Sequence, residues 1–121
     1  MHLNDSEWEI MDILWRQKDI SFKEIRDLIL KKGINWAPNT IHTLLSRLEK
    51  KSVVQIRKDH TPHLYNALLS RKECETDAIT HFIEKVFDGS AETMLASLVK
   101  SKKIKREDLL KLDEYVDSLP E

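Results

Sequence analysis

Residues 35–54 read N-W-A-P-N-T-I-H-T-L-L-S-R-L-E-K-K-S-V-V, and the two sides of this stretch differ in chemistry. Ile41, Leu44, Leu45 and Leu48 recur three and four residues apart, so one side of a helix is apolar and needs a core to cover it. The other side carries Asn39, Thr40, His42, Thr43, Ser46 and Arg47, with Lys50 a turn further on. Short hydrogen-bonding groups followed by cations suit a helix that lies against base edges and phosphates. Pro38 lacks an N–H that a first turn would leave unpaired, so the helix is expected to begin at Trp36 or Ala37, with Pro38 second or third. Lys50 and Lys51 then meet the negative end of the helix dipole, and Ser52 ends the helix before the β-branched pair Val53 and Val54.

Upstream, Trp8, Met11, Leu14 and Trp15 follow helical spacing, widened by Ile10 and Ile13, and Asp5 or Ser6 is placed to cap that helix. Ile20 reads as a short apolar link. Ser21 with Glu24 three residues on forms a capping box for a second helix, whose buried face is Ile25, Leu28 and Ile29 and whose end is Lys32-Gly33. Downstream, residues 53–58 alternate enough for a strand, residues 59–62 are polar and turn-forming, and residues 63–68 offer Leu64, Tyr65 and Ala67 for a return strand. Helix, helix, recognition helix and hairpin is the order of a winged helix-turn-helix, in which the hairpin reaches along the DNA backbone. The expected fold is therefore mainly α with a small β-hairpin: a winged helix-turn-helix DNA-binding domain over residues 1–69, followed by a C-terminal helical dimerisation region over residues 70–121.

The second region carries three more apolar stripes. Ile79, Phe82, Ile83, Val86 and Phe87 form one, started by Ser70 and ended by Asp88-Gly89. Ala91, Met94, Leu95, Leu98 and Val99 form the next, and Leu109, Leu112, Val116 and Leu119 the last. Three helices over about fifty residues are too few, and too apolar along one face, to be stable alone, so a second copy of the chain is the simplest cover. Ile79, Phe82, Ile83, Val86, Phe87, Met94, Leu95, Leu98, Leu109, Leu112 and Val116 are the expected dimer contacts.

With 121 residues, 40% hydrophobic content and a formal charge of −1, the chain reads as an ordinary protein until its charge is divided. Residues 1–69 carry a net +2 and residues 70–121 a net −3, and residues 36–68 alone carry +3. A local basic patch matters more to phosphate binding than the total does. The single cysteine, Cys74, rules out an internal disulfide framework, and neither a basic, apolar leader nor a membrane-length run is present, so a cytoplasmic protein without membrane insertion is expected.

The expected partner is double-stranded DNA, read by a homodimer on an inverted repeat, because one recognition helix covers few base pairs and two, about 34 Å apart, read successive major-groove faces. Asn39, Thr40, His42 and Thr43 are expected at base edges or adjacent phosphates, and Ser46, Arg47, Lys50, Arg57, Lys58 and His60 at phosphates.

Three segments in order, L-N-D-S-E-W-E-I-M-D-I-L-W, W-A-P-N-T-I-H-T-L-L-S-R-L-E-K-K and H-F-I-E-K-V-F-D-G-S, resemble the penicillinase and methicillin-resistance repressors of the BlaI/MecI type, over residues 3–119. The resemblance implies a homodimeric winged-helix repressor of a β-lactamase-type resistance operon, relieved by proteolysis when a membrane sensor-protease signals. Family members carry a cation in the recognition helix where this chain has Asn39 and His42. They are cut between an Asn and a Phe; the matching bond here is Ser97-Leu98. The chain ends without the Cys-x-Cys pairs of the copper-responsive branch.

Other readings are weaker. His60, His63, Cys74 and His81 lack the spacing of any known metal set, so no metal and no cofactor is expected. Trp8, Trp15 and Trp36 read as packing residues rather than base-stacking platforms. Anions flank Cys74 and should leave its pKa normal or raised. Residues 100–106 read as a solvated loop. No nucleophile with a base and oxyanion donors, and no glycine-rich phosphate loop, points to an enzyme. The rival functions are a metal- or ligand-responsive winged-helix regulator and a winged-helix protein-interaction module.

Overall fold

The structure, a computed structural model, describes residues 2–120. The elements run α1 (Asp5–Leu14), β1 (Ile20–Ser21), α2 (Phe22–Lys31), α3 (Pro38–Lys50), β2 (Val54–Arg57), β3 (Leu64–Ala67), α4 (Arg71–Phe87), α5 (Ala91–Lys100) and α6 (Arg106–Ser118). They divide into two compact units, residues 1–79 and residues 80–121, with the division falling inside α4.

In the first unit α1, α2 and α3 surround a core of Ile10, Met11, Ile13 and Leu14 from α1, Ile25 and Ile29 from α2, and Ile41, Leu44, Leu45 and Leu48 from α3, closed by Val53 and by Val54 and Tyr65 of the sheet. These are the residues whose spacing defined the apolar stripes. Each such side chain, fully buried, contributes about 1.5–3 kcal/mol, and α3 spends its whole apolar face on this core. Nothing apolar remains to compete with its outer side.

The helix ends depart from the sequence expectation in two places. Asn4 caps α1, not Asp5 or Ser6: its side chain accepts the Glu7 N–H at 2.8 Å while Glu7 accepts the Asn4 N–H at 2.9 Å. Glu7 is three residues after Asn4, the spacing that a capping box requires; Ser6 has Glu9 at the same spacing, and it is Asn4 that takes the extended N-cap backbone, at ψ 174°. Pro38 is the first residue of α3, with Ala37 as N-cap and no side-chain cap. A proline ring fixes the helical φ only from its own position onward and pushes the preceding residue to extended backbone, which is where Ala37 lies, at ψ 151°. The α2 box between Ser21 and Glu24 and the stop at Gly33, with φ +83°, are as expected.

The hairpin is part of a three-stranded antiparallel sheet in the order β1-β3-β2. The expected apolar link at Ile20 is an edge strand: Ile20 faces Tyr65 and Ser21 faces Leu64. Asp19, at φ +52°, turns the chain into it and is clasped by Asn66, whose side chain accepts the Asp19 N–H and donates to the Asp19 carboxylate, both at 2.9 Å. In the wing, Val54 pairs with Ala67 and Arg57 with Leu64.

α3 passes into β2 through three residues, Lys51, Ser52 and Val53. Ser52 takes φ +62°, and the Val53 N–H donates to Leu48 O at 3.0 Å, closing the last turn. The Leu68 N–H donates to Val53 O at 2.7 Å. Trp8 and Trp15 meet edge to face at 5.6 Å; Trp15 also donates to Leu69 O at 2.9 Å and carries the Arg71 guanidinium over its ring at 5.5 Å. Both are packing residues, as is Trp36, which lies half-buried against the core.

In the second unit Gly89, at φ +86°, ends α4 through its N–H to Ile83 O, and Ser90 caps α5 by accepting the Thr93 N–H at 3.1 Å. The N-cap of α6 is Lys105, which has no acceptor to offer, so only the reciprocal half of a box is made, Lys105 N–H to Asp108 Oδ2 at 2.9 Å. After Cys74 no described residue is fully buried. No described helix is long and apolar enough to cross a membrane.

Candidate nucleic-acid interface

On a helix advancing about 100° per residue, burial of Ile41, Leu44, Leu45 and Leu48 turns the remaining positions outward. Asn39, Thr40, His42, Thr43, Ser46, Arg47 and Lys50 are all exposed. Asn39, Thr40, Thr43 and Arg47 line one shallow depression with Leu44 at its floor, on one flank of this face. The Thr43 hydroxyl donates to Asn39 O at 2.8 Å, so what it can still present outward is an acceptor lone pair and a methyl group. His42, on the opposite flank, stacks on Phe22 of α2 with ring centroids 3.8 Å apart and planes 3° from parallel.

The cations sort into free and engaged. Arg47 and Lys50 have no carboxylate within ion-pair distance among the described residues. Lys58 reaches back from the wing to Glu49 of α3 at 3.3 Å, and Arg57 lies 3.8 Å from Asp19 and 4.0 Å from Asp59. These wing pairs are exposed and contribute little, so a phosphate can compete for either cation. His60 sits at the wing tip, where its Nδ1–H donates to Pro62 O at 2.8 Å across a segment with a cis Thr61–Pro62 peptide.

Lys51, counted in the basic stretch, does not belong to this face. Its ammonium donates to both oxygens of Glu7 at 2.7 and 2.8 Å and to His2 O at 2.7 Å, tying the end of α3 to the start of α1. Behind α3, Lys32 bridges Glu9 and Asp12 at 2.9 Å each. The Lys32 hydrogen bond, aided by Arg71 and opposed by partial burial, holds the Asp12 carboxyl below the ordinary carboxylate range. Burial lifts the Tyr65 phenol above its usual value, with the nearby Glu49 charge adding to it.

His60 and His63 lie on the wing, Cys74 is buried in α4, and His81 is further along α4; among the described residues no group of three or more His, Cys, Asp or Glu could hold a metal. Burial is the main cause of the raised Cys74 pKa, with Asp77 and Glu73 adding to it. Of the anions that flank Cys74 in the sequence, Glu73 contributes. The buried side of α4 was the larger effect.

A family model described as penicillinase repressor matches residues 3–118. The chain belongs to the penicillinase repressor family. It is a transcriptional repressor, not an enzyme. It is 28% identical over 110 residues to the methicillin resistance regulatory protein MecI of Staphylococcus aureus, covering 91% of this chain and 89% of that protein. It is 23% identical over 115 residues to the penicillinase repressor of Bacillus licheniformis, covering 95% of this chain and 89% of that one. The solution structure of the DNA binding domain of the repressor BlaI superposes with a TM-score of 0.52 at 28% identity, over 59% of this chain and 85% of that domain. The winged-helix fold of the first unit is thereby shown.

Phe22, Asp19 and Lys51 enter the picture only through the structure. Their partners are His42, Arg57 and Glu7, each on another element. No short-range spacing encodes such pairs. The one sequence signal was Phe22 itself, an aromatic group in the first turn of α2, in line with Ile25 and Ile29.

Proposed function

We propose that this repressor acts as a cytoplasmic homodimer on an inverted-repeat operator of a β-lactamase-type resistance operon. Residues 1–69 read the DNA and residues 70–121 hold the dimer. The observation that carries the reading is the division of α3: four apolar side chains are spent on the core, and seven polar or cationic ones, from Asn39 to Lys50, are left exposed on the far side.

Asn39, Thr40, His42 and Thr43, in the first turns, take the base edges, while Ser46, Arg47, Lys50, Arg57, Lys58 and His60 take phosphates. The dimer face is supported by the exposure of Ile79, Phe82, Val86, Leu95, Leu109, Leu112 and Val116, with Ile83, Phe87, Met94 and Leu98 half-buried. So much apolar surface on helices whose one buried described residue is Cys74, at the start of α4, needs a cover. Relief by a membrane sensor-protease, with the cut at Ser97-Leu98 in place of the Asn-Phe pair, extends the resemblance to this chain; Ser97 is exposed and its hydroxyl bonds back to Thr93 O at 3.1 Å within α5. A cut there breaks a helix of the dimer face and, with it, the two-site grip.

Footprinting on the chain's own promoter tests the reading: a protected site with dyad symmetry supports it, and protection without symmetry or none at all refutes it. Arg47→Ala should lower the slope of log K against log salt by about 0.9, as should Arg57→Ala, whereas Thr43→Ala should change which sequences are preferred. An unchanged slope for Arg57→Ala removes the wing from the interface.

A further inference from the structure

Phe22 opens α2 directly after its N-cap, Ser21, which is held both by its capping box with Glu24 and by pairing to Leu64 in the sheet. The phenyl ring packs against the core as well. It is a shelf fixed by a cap, a strand and a core contact. His42 is exposed on the outer side of α3, in its second turn, and lies flat on that shelf with 3.8 Å between centroids and 3° between planes. Among the described residues neither ring nitrogen of His42 has a hydrogen-bond partner.

Stacking occupies a face of the imidazole, whereas its donor and acceptor lie in the ring plane. The contact therefore fixes the orientation of the ring and leaves its chemistry free. A histidine on an open helix surface otherwise changes rotamer within picoseconds to nanoseconds, and that freedom would be lost on binding. A flat, short, immobilised group in the early turns of the helix differs from the long free cations Arg47 and Lys50 further along it. Early positions of a recognition helix reach base edges, and the later ones run out along the backbone.

We propose that Phe22 is a positioning residue for base recognition, holding the His42 imidazole ready to donate to the N7 acceptor edge of a purine in the major groove. N7 is presented by both purines and faces the major groove. A ring supported by a second residue reads it with little reorganisation, as a site built on rigid elements should. The inference rests on the DNA-reading role of α3 and adds a residue of α2 that touches no DNA itself.

The test is parallel selection from a random duplex library with the full-length wild type, F22L, F22Y and H42A, each checked for a cooperative thermal melt. Wild type and F22Y, which keeps the ring, should enrich the same motif. F22L and H42A should both lose about tenfold discrimination at the same one or two purine positions and keep the rest of the motif, and replacing that purine by its 7-deaza analogue should weaken wild type but not H42A. F22L keeping the full motif, or losing different positions from H42A, or losing affinity uniformly for all sequences, overturns the inference while leaving the repressor reading intact. Enrichment of no motif by wild type overturns the repressor reading and this inference with it. F22M, unbranched and ringless, replaces F22L under the same outcomes if F22L does not melt cooperatively.

Discussion

Replacing Lys51 with methionine should destabilise the first unit more than neutralising the acid with which it pairs. Glu7 is fully buried, and its carboxylate is met by the Asn4 N–H and by the Lys51 ammonium, which touches both oxygens. Removing the ammonium leaves a buried charge with one remaining donor, a situation that costs about 3–5 kcal/mol when the pair is wholly enclosed. The Lys51 side chain keeps 33% of its exposure, so water can enter its place and lower that cost to about 3 kcal/mol. Glu7→Gln keeps an acceptor for the Asn4 cap and leaves Lys51 free to turn to water and to His2 O, so its cost should be about 1–1.5 kcal/mol. In urea, with a slope of about 1.5–2 kcal/mol per molar, K51M should lower the unfolding midpoint by roughly 1.5–2 M and E7Q by under about 1 M. The double variant E7Q/K51M should be more stable than K51M alone, because the orphaned charge has gone. The unfolding is followed by tryptophan fluorescence at fixed protein concentration, since a dimer's stability depends on it. If E7Q costs as much as K51M, or the double variant is the least stable of the three, the pair is a surface interaction and the reasoning fails.

Acid should reveal the Asp12 cluster. A carboxyl whose folded pKa lies below its ordinary value of 3.8 contributes stability that is present above that value and lost as the pH falls through the folded one. D12N should therefore be less stable than wild type at about pH 6, with the difference shrinking as the pH falls below 3.8, by urea midpoints at each pH; a constant difference refutes the assignment. In the second unit L112D puts a charge into the α6 stripe and should weaken self-association at least about tenfold, read by sedimentation equilibrium; an unchanged dimer moves the interface elsewhere. Cys74, 1% exposed and with its pKa raised by burial, should be alkylated at neutral pH about a hundredfold more slowly in the native chain than in urea. Equal rates would mean that the start of α4 opens freely.

The fold was legible wherever one element's own periodicity encodes its burial. Ile41, Leu44, Leu45 and Leu48 mark the buried side of α3 without reference to any other segment, and the outer face follows by subtraction. The alternation of residues 53–58 likewise places β2. What escaped was information held between segments. β1 is two residues long, too short for any period, and exists because Ile20 and Ser21 find Tyr65 and Leu64 across the sheet. Lys51 reads as one more cation at a helix end until the fold brings Glu7 under it. The α1 cap was not fixed by spacing, because Asn4 and Ser6 each have a Glu three residues on, Glu7 and Glu9; the burial of Glu7 under Lys51 goes with the first.

The three-residue joint centred on Ser52 makes α3 and the wing one mechanical piece. With the helix end stitched to Val53, and Val53 stitched to Leu68 just after the central strand β3, a tilt of one is a tilt of the other. In the proposed dimer, each copy of the chain then meets a duplex as a rigid two-pronged gauge of fixed opening. Differences in the separation of two half-sites must be absorbed beyond Leu69, outside the gauge.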